Sequence, residues 1–302
     1  MITHTRLEGM IAAVFTPFTK EDEVNLEMID RYADWIASTT IQGVFVCGTT
    51  GEFSSLTIEE RQQILARWIE ASKHRFKVIA HVGSNCQKDS AQLARHAAAC
   101  HADAIASIAP SFFKPGTVND LVNYFKPVCE AAPETPFYYY NMPSITGVNL
   151  PVDEFLTEGS KVIPNLVGVK FTHNNLMEMQ QCINLENHLF EILNGFDEIL
   201  IAGISIGAVA GVGSTYNYIP SVYQHVFDAM RKNNMAEARQ WQLKSVEMVK
   251  LIIRYGGGVR GGKAIMSLIG IDCGNCRLPL PAYTEDELAC IRKDWEDLGI
   301  RP

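Results

Sequence analysis

A lysine stands inside an otherwise apolar run, LVGVKF, at residues 166 to 171. A charged lysine is rarely buried without a partner. Lys170 therefore either reaches water from a strand end or serves as a nucleophile in a dry pocket. Desolvation favours a neutral amine, and a neutral amine attacks a ketone to form a Schiff base. Side chains alternate along a strand, so Leu166, Gly168 and Lys170 are expected on one face, with Gly168 leaving space below the lysine. The stretch GTTGE (48 to 52) offers a second chemistry. Its glycines permit positive φ and close backbone approach, and its N–H groups and the hydroxyls of Thr49 and Thr50 suit a carboxylate. The plain alternative is an ordinary turn with glycine punctuation. Tyr140 closes a run of three tyrosines. It is either core or a proton shuttle, and a phenol with a pKa of about 10 needs its neighbours' help to act as a base at neutral pH.

Other patterns carry less. GGGVRGGKA (256 to 264) has the spacing of a phosphate loop, but Ala264 replaces the required Ser or Thr and the segment follows a helix. CGNC (273 to 276) has metal-ligand spacing without a second pair nearby. No histidine pair has HExxH spacing, and His173 reads as a polar loop residue. No dinucleotide fingerprint follows the first strand. These patterns give no case for zinc, a phosphate loop or a dinucleotide.

Short continuous apolar runs alternate with helical periods to position these residues. Strands are expected at 10–18, 43–48, 77–83, 104–110, 136–141, 166–171, 189–195 and 207–213. Helices are expected at 25–38, 57–73, 90–101, 117–132, 151–158, 174–184, 197–204 and 220–233, the second opened by a Thr57–Glu60 capping box. Continuous apolar strands are those of a parallel sheet buried on both faces. Eight strand–helix units in this length predict an α/β fold, a (β/α)8 TIM barrel, with an open doubly wound sheet as the alternative. Helices near 236–255, 261–269 and 284–297 form a C-terminal extension, so residues 1–234 are read as barrel and 235–302 as a helical extension packed on it. In such a barrel chemistry sits at the C-terminal ends of the strands. GTTGE, Tyr140, Lys170, the group Gly195, Asp197 and Glu198, and the group Gly213, Ser214 and Thr215 all fall there.

Bulk composition removes several function classes. The net charge is −8 with no basic block, which argues against nucleic acid as a partner. The first ten residues lack a signal-peptide pattern, and 199–213 is too short and glycine-rich for a membrane span. Eight scattered cysteines in apolar segments fit reduced thiols in a cytoplasmic protein.

GTTGE, YNMP (140 to 143), GVKF (168 to 171), NGFDE (194 to 198) and GSTYN (213 to 217) occur in one order. With these motifs the chain resembles the pyruvate-dependent class I aldolases that include dihydrodipicolinate synthase and N-acetylneuraminate lyase, from about residue 7 into the C-terminal helices. The resemblance implies a (β/α)8 barrel, a lysine Schiff base with pyruvate, no cofactor, and a homotetramer. It implies that Lys170 is the Schiff-base lysine and Tyr140 the proton-shuttling tyrosine, and Thr50 is the relay expected beside Tyr140. It further implies that Thr49 and Thr50 hold the pyruvyl carboxylate and that Thr172 brings a hydroxyl near the substrate. The synthase branch has an arginine where YNMPSITG has Ile145. Asp197, Glu198, Ser214, Gly195 and Gly213 instead resemble the lyase branch, which grips the polyol tail of a sialic acid. That branch implies reversible cleavage of N-acetylneuraminate to N-acetylmannosamine and pyruvate. A 2-keto-3-deoxy sugar acid aldolase, a synthase-like condensation and a silent keto-acid-binding barrel are the alternatives. The chain departs from the family at Phe112 and Phe113, where many members carry a loop tyrosine, and at Val259, where some lyases place an aromatic residue.

Overall fold

The computed structural model describes residues 2–300; residues 1, 301 and 302, at the outer edges of the two expected units, lie outside it. Its strands are β1 (Gly9–Ala13), β2 (Gly43–Val46), β3 (Lys77–His81), β4 (Ala104–Ile108), β5 (Phe137–Asn141), β6 (Leu166–Phe171), β7 (Glu191–Asn194) and β8 (Ala210–Gly213). They pair in parallel and in chain order, and β8 pairs back to β1, so the barrel is closed. The helices around and beyond it are α1 (Leu26–Ala37), α2 (Ile58–Ser72), α3 (Gln87–Ala99), α4 (Val118–Glu130), α5 (Pro143–Thr146), α6 (Val152–Ser160), α7 (Leu176–Asn184), α8 (Leu200–Ser205) and α9 (Pro220–Arg231). Three more, α10 (Met235–Arg254), α11 (Gly257–Leu268) and α12 (Glu285–Leu298), make the C-terminal extension. The expected barrel is therefore present. Among the described residues no helix is long and apolar enough to cross a membrane.

Burial explains the lack of alternation in the strands. One face of each strand packs against helices, where Val44, Val78, Ile105, Phe137 and Val169 contribute to the larger core. The other face fills the barrel with Ile11, Phe45, Ile79, Tyr138, Val167 and Leu193. The expected capping box at Thr57 and Glu60 opens α2, and similar boxes open α4 and α12.

Local differences from the sequence reading have physical causes. The register of β5 on β6 jumps from Phe137–Leu166 to Tyr138–Gly168, leaving Val167 without a partner. Leu166 consequently packs outside and Val167 inside, so Leu166 does not share the face of Lys170. The room expected under the lysine is filled. A Cβ on Gly168 would lie 2.0 Å from the Glu191 carbonyl and 3.0 Å from the Tyr138 ring. The first apolar run is strand only to Ala13, because Pro17 and the Phe18–Val24 bridge turn the rest into a buried loop. The helix expected from 261 starts at Gly257 instead. Its glycines are contact residues: a Cβ on Gly262 would meet the Phe15 ring at 2.4 Å, and one on Gly261 the Ile252 carbonyl at 2.8 Å.

The N-terminal mouth of the barrel is closed by polar groups. Glu191 is buried, and its Oε2 accepts the Leu7 N–H at 2.8 Å and the Tyr138 hydroxyl at 2.7 Å. Its Oε1 lies 2.6 Å from His4 Nε2.

Candidate active site

At the opposite mouth, β6 delivers Lys170 to the interior, where it is 5% exposed. Its Nζ lies 4.1 Å from the Tyr140 ring centroid and 4.3 Å from that of Phe45. Among the described residues no carboxylate pairs with this amine and no acceptor takes its protons. Aromatic faces shelter the amine without engaging its nitrogen in a hydrogen bond.

Tyr140, one strand away, turns its ring edge-on to Phe45 and to His81. Its hydroxyl donates to Met142 Sδ at 3.1 Å and meets the Thr49 hydroxyl at 3.2 Å. The phenol thus contacts Thr49 and not Thr50, the relay expected from the sequence. Behind it, His81 Nδ1 reaches the Cys47 carbonyl at 2.8 Å and Nε2 accepts the Ile108 N–H at 3.3 Å. A ring that donates from one nitrogen and accepts on the other is neutral. Burial, then the nearby Arg61 charge, push its pKa well below the usual histidine value.

The GTTGE turn is tight for a different reason from the one expected. Its positive φ angles fall not on its glycines but on Cys47, just before it, at 54° and on Glu52, its last residue, at 57°. Gly48 is needed because a Cβ there would lie 2.7 Å from the Phe45 ring. Glu52 donates its N–H to the Thr49 carbonyl at 3.1 Å, Phe53 donates to Gly48 at 3.3 Å, and Thr16 donates its hydroxyl to Gly51 at 2.7 Å. These bonds leave the N–H groups of Thr49 and Thr50 without a partner among the described residues. Free N–H groups beside two hydroxyls form an anion cradle.

Asp197 and Thr172 occupy the far side. Asp197 Oδ2 accepts the Thr215 N–H at 2.9 Å and its hydroxyl at 2.6 Å. Among the described residues its Oδ1 is buried without a hydrogen-bond partner, as is Thr172 Oγ1. Burial raises the Asp197 carboxyl from its usual range to about 6, against the lowering effect of the Thr215 bonds. Two glycines assigned to the substrate by resemblance have a role in the protein itself. A Cβ on Gly213 would lie 1.5 Å from Asp197 Oδ1, and one on Gly195 would lie 2.0 Å from Thr172 Oγ1. The C-terminal extension holds this corner, since Gln242 Nε2 and Ser245 Oγ of α10 donate to the Asp197 carbonyl at 3.0 and 3.1 Å.

All ten candidates named from the sequence (Thr49, Thr50, Tyr140, Lys170, Thr172, Gly195, Asp197, Glu198, Gly213 and Ser214) line one cavity of about 350 Å³. Ile145 and Val259 line it too, while Phe112 and Phe113 stand 77% and 86% exposed on the loop after β4. Sequence reasoning missed Met142, His81 and the apolar wall of Val249, Ile252 and Ile253 from α10. His81 was findable, being a polar residue at the C-terminal end of an apolar strand, as Lys170 is. The α10 wall was not, because nothing local distinguishes its residues from ordinary helix core.

Fold and site define a (β/α)8-barrel lyase of the class I aldolase type. The pattern described as the Dihydrodipicolinate synthetase family matches residues 6–297, and the chain belongs to that family. It is 41% identical to the N-acetylneuraminate lyase of Gallus gallus, over 99% of this chain and 98% of that protein. Among solved structures it resembles the Proteus mirabilis N-acetylneuraminate lyase, with a TM-score of 0.95 and 35% identity over 98% of this chain and all (100%) of that one. It also resembles the N-acetylneuraminate lyase (sialic acid aldolase) of Aliivibrio salmonicida, with a TM-score of 0.95 and 36% identity over 99% of each chain.

Proposed function

We propose that the protein is a Schiff-base aldolase that reversibly cleaves N-acetylneuraminate to N-acetylmannosamine and pyruvate. The observation that carries this reading is the unpaired amine of Lys170, buried at one end of the cavity beside the Tyr140–Thr49 contact. Similarity to lyases over nearly the whole chain supports the choice of substrate.

In this mechanism the open-chain sugar acid places its carboxylate on the hydroxyls and free N–H groups of Thr49 and Thr50. The Lys170 amine adds to the C2 ketone, and loss of water gives a protonated imine. Removal of the C4 hydroxyl proton, assisted by Tyr140, lets the C3–C4 electron pair move into the imine. The aldehyde of N-acetylmannosamine departs and an enamine remains. Protonation at C3 and hydrolysis by water release pyruvate and restore the amine. The lysine supplies the electron sink that a cofactor supplies elsewhere, so none is required. Asp197 Oδ1, Glu198, Ser214 and Thr172 offer acceptors and hydroxyls to the polyol tail.

Ile145 in place of a cation, and two carboxylates on the wall of the same cavity, disfavour a dicarboxylic partner and hence the synthase reaction. A 2-keto-3-deoxy sugar acid is the second reading, and relative cleavage rates separate the two. The exposed Phe112–Phe113 pair supports the homotetramer implied by the resemblance. Free cysteines, with Cys47, Cys129, Cys182 and Cys273 buried, support a reducing compartment such as the cytoplasm.

The test is borohydride reduction with N-acetylneuraminate as the sole ketone, followed by peptide mass spectrometry. A pyruvate-sized adduct on Lys170 is expected. An adduct from added pyruvate alone keeps the aldolase and discards the sialic acid. Absence of both returns Lys170 to a structural role.

A further inference from the structure

Lys263 is the lysine of the glycine-rich stretch that imitates a phosphate loop, yet in the fold its amine is already committed. On α11 its Nζ lies 2.7 Å from Oε1 of Glu52, donates to the Asn275 carbonyl at 3.0 Å, and sits 4.2 Å from the Phe18 ring centroid. Glu52 is the last residue of GTTGE. Its Oε2 accepts the Arg277 N–H at 2.9 Å. Both side chains of the ion pair are 3% exposed.

Burying two charges is costly, and an uncharged pair of the same shape often serves stability as well. The pair does, however, join two parts of the cavity. Glu52 closes the turn that carries Thr49 and Thr50, and its backbone is held in the left-handed region. Helix α11 contributes Gly258 and Val259 to the wall of the same cavity. A second fastening reinforces the first: the Arg277 guanidinium donates to Glu60 at 2.6 and 2.8 Å and to the Ser55 carbonyl at 2.9 Å, just beyond the turn. The C-terminal extension therefore grips the carboxylate cradle from behind.

We propose that Glu52 and Lys263 are positioning residues that set the Thr49 and Thr50 hydroxyls for the carboxylate of a 2-oxo acid, coupling that subsite to the C-terminal helices. The inference rests on the Schiff-base reading above. Disturbing the pair weakens capture of the acid and leaves the reactivity of the bound acid with Lys170 intact.

The experiment measures the pyruvate concentration that gives half-maximal borohydride trapping on Lys170, alongside the thermal unfolding midpoint. It compares the unmodified protein with Glu52→Gln, Lys263→Met and the double variant. The single variants are expected to raise the half-trapping concentration by about tenfold or more, with the same maximal extent of trapping. The double variant leaves no unpaired buried charge. It is expected to regain much of the unfolding midpoint while keeping the raised half-trapping concentration. Half-trapping that returns to the parent value as the midpoint recovers would make the pair a structural tie and overturn the proposal. A parent protein that traps no pyruvate at all overturns the Schiff-base reading, and this inference with it.

Discussion

The two mouths of the barrel each bury an ionisable side chain, and they treat it in opposite ways. At the N-terminal mouth both oxygens of Glu191 have partners in His4, Leu7 and Tyr138. At the C-terminal mouth, among the described residues, Lys170 makes no hydrogen bond or ion pair and lies against aromatic faces, and Asp197 Oδ1 and Thr172 Oγ1 have no hydrogen-bond partner. Buried polar groups are nearly always hydrogen-bonded, and those left open in a native protein need an explanation. Satisfied groups hold the barrel together at one end. At the other, groups without a partner line the candidate cavity.

The widest contrast comes from replacing the two buried ionisable side chains, Lys170 and Glu191. Lys170→Met is expected to abolish turnover and borohydride trapping while leaving the unfolding temperature no lower than that of the parent, because it orphans no partner. Glu191→Ala is expected to do the reverse. It strands the Tyr138 hydroxyl and the Leu7 N–H, costing about 3 kcal/mol of stability, while trapping on Lys170 survives at low temperature. Denaturation curves and trapping on both variants decide the matter. A Lys170 variant that unfolds several degrees early would mean the lysine has a structural partner, and the comparison would break.

Asp197 sharpens the comparison through pH. Burial pushes its carboxyl up to about 6 when folded, against a reference of 3.8. Between these values the folded state keeps a proton that the unfolded chain has lost. Its contribution to stability therefore falls as pH rises through that window and stays lost above it. A shift of this size corresponds to about 3 kcal/mol. Asp197→Asn is expected to be more stable than the parent at pH 7.5 and to show a flatter stability profile between pH 4 and 6. If the ionised carboxylate accepts a substrate hydroxyl, parental kcat/KM falls below about pH 6. The variant lacks that limb and loses about tenfold to a hundredfold at neutral pH. Unchanged kcat/KM with the acid limb intact would place the substrate elsewhere.

Much of the C-terminal mouth was legible because its residues break a local rule. Lys170 and Tyr140 are polar groups at the ends of apolar strands, and GTTGE interrupts the strand–helix rhythm with donors and glycines. The eight-unit order was legible from period and apolar runs alone. What could not be read depends on contacts distant in sequence. The extra residue at Val167 changes which side chains share a face, and only strand pairing reveals it. Gly195 and Gly213, expected at the substrate, also make room for Thr172 and Asp197, which only the fold reveals. The start of α11 was missed because a glycine run resembles a loop until Phe15 and Ile252 are packed against it.

The smallest expected effect is the most discriminating, since it compares two threonines of one cavity. Thr172 Oγ1 is buried without a partner, whereas Thr215 Oγ1 donates to Asp197 and meets the Tyr223 hydroxyl. Exchanging a hydroxyl for a methyl group preserves shape and removes only the polar atom. Thr172→Val should then stabilise the free protein by up to about 1 kcal/mol, because an unsatisfied group is removed, while raising KM roughly fivefold through one lost hydrogen bond to substrate. Thr215→Val should destabilise by about 1–3 kcal/mol, because Asp197 and Tyr223 each lose a partner. Opposite signs of the stability change would show that the two hydroxyls differ in where their partners come from. A loss of stability in Thr172→Val would mean that its hydroxyl is satisfied within the protein, leaving Lys170 and Asp197 to carry the distinction between the two mouths.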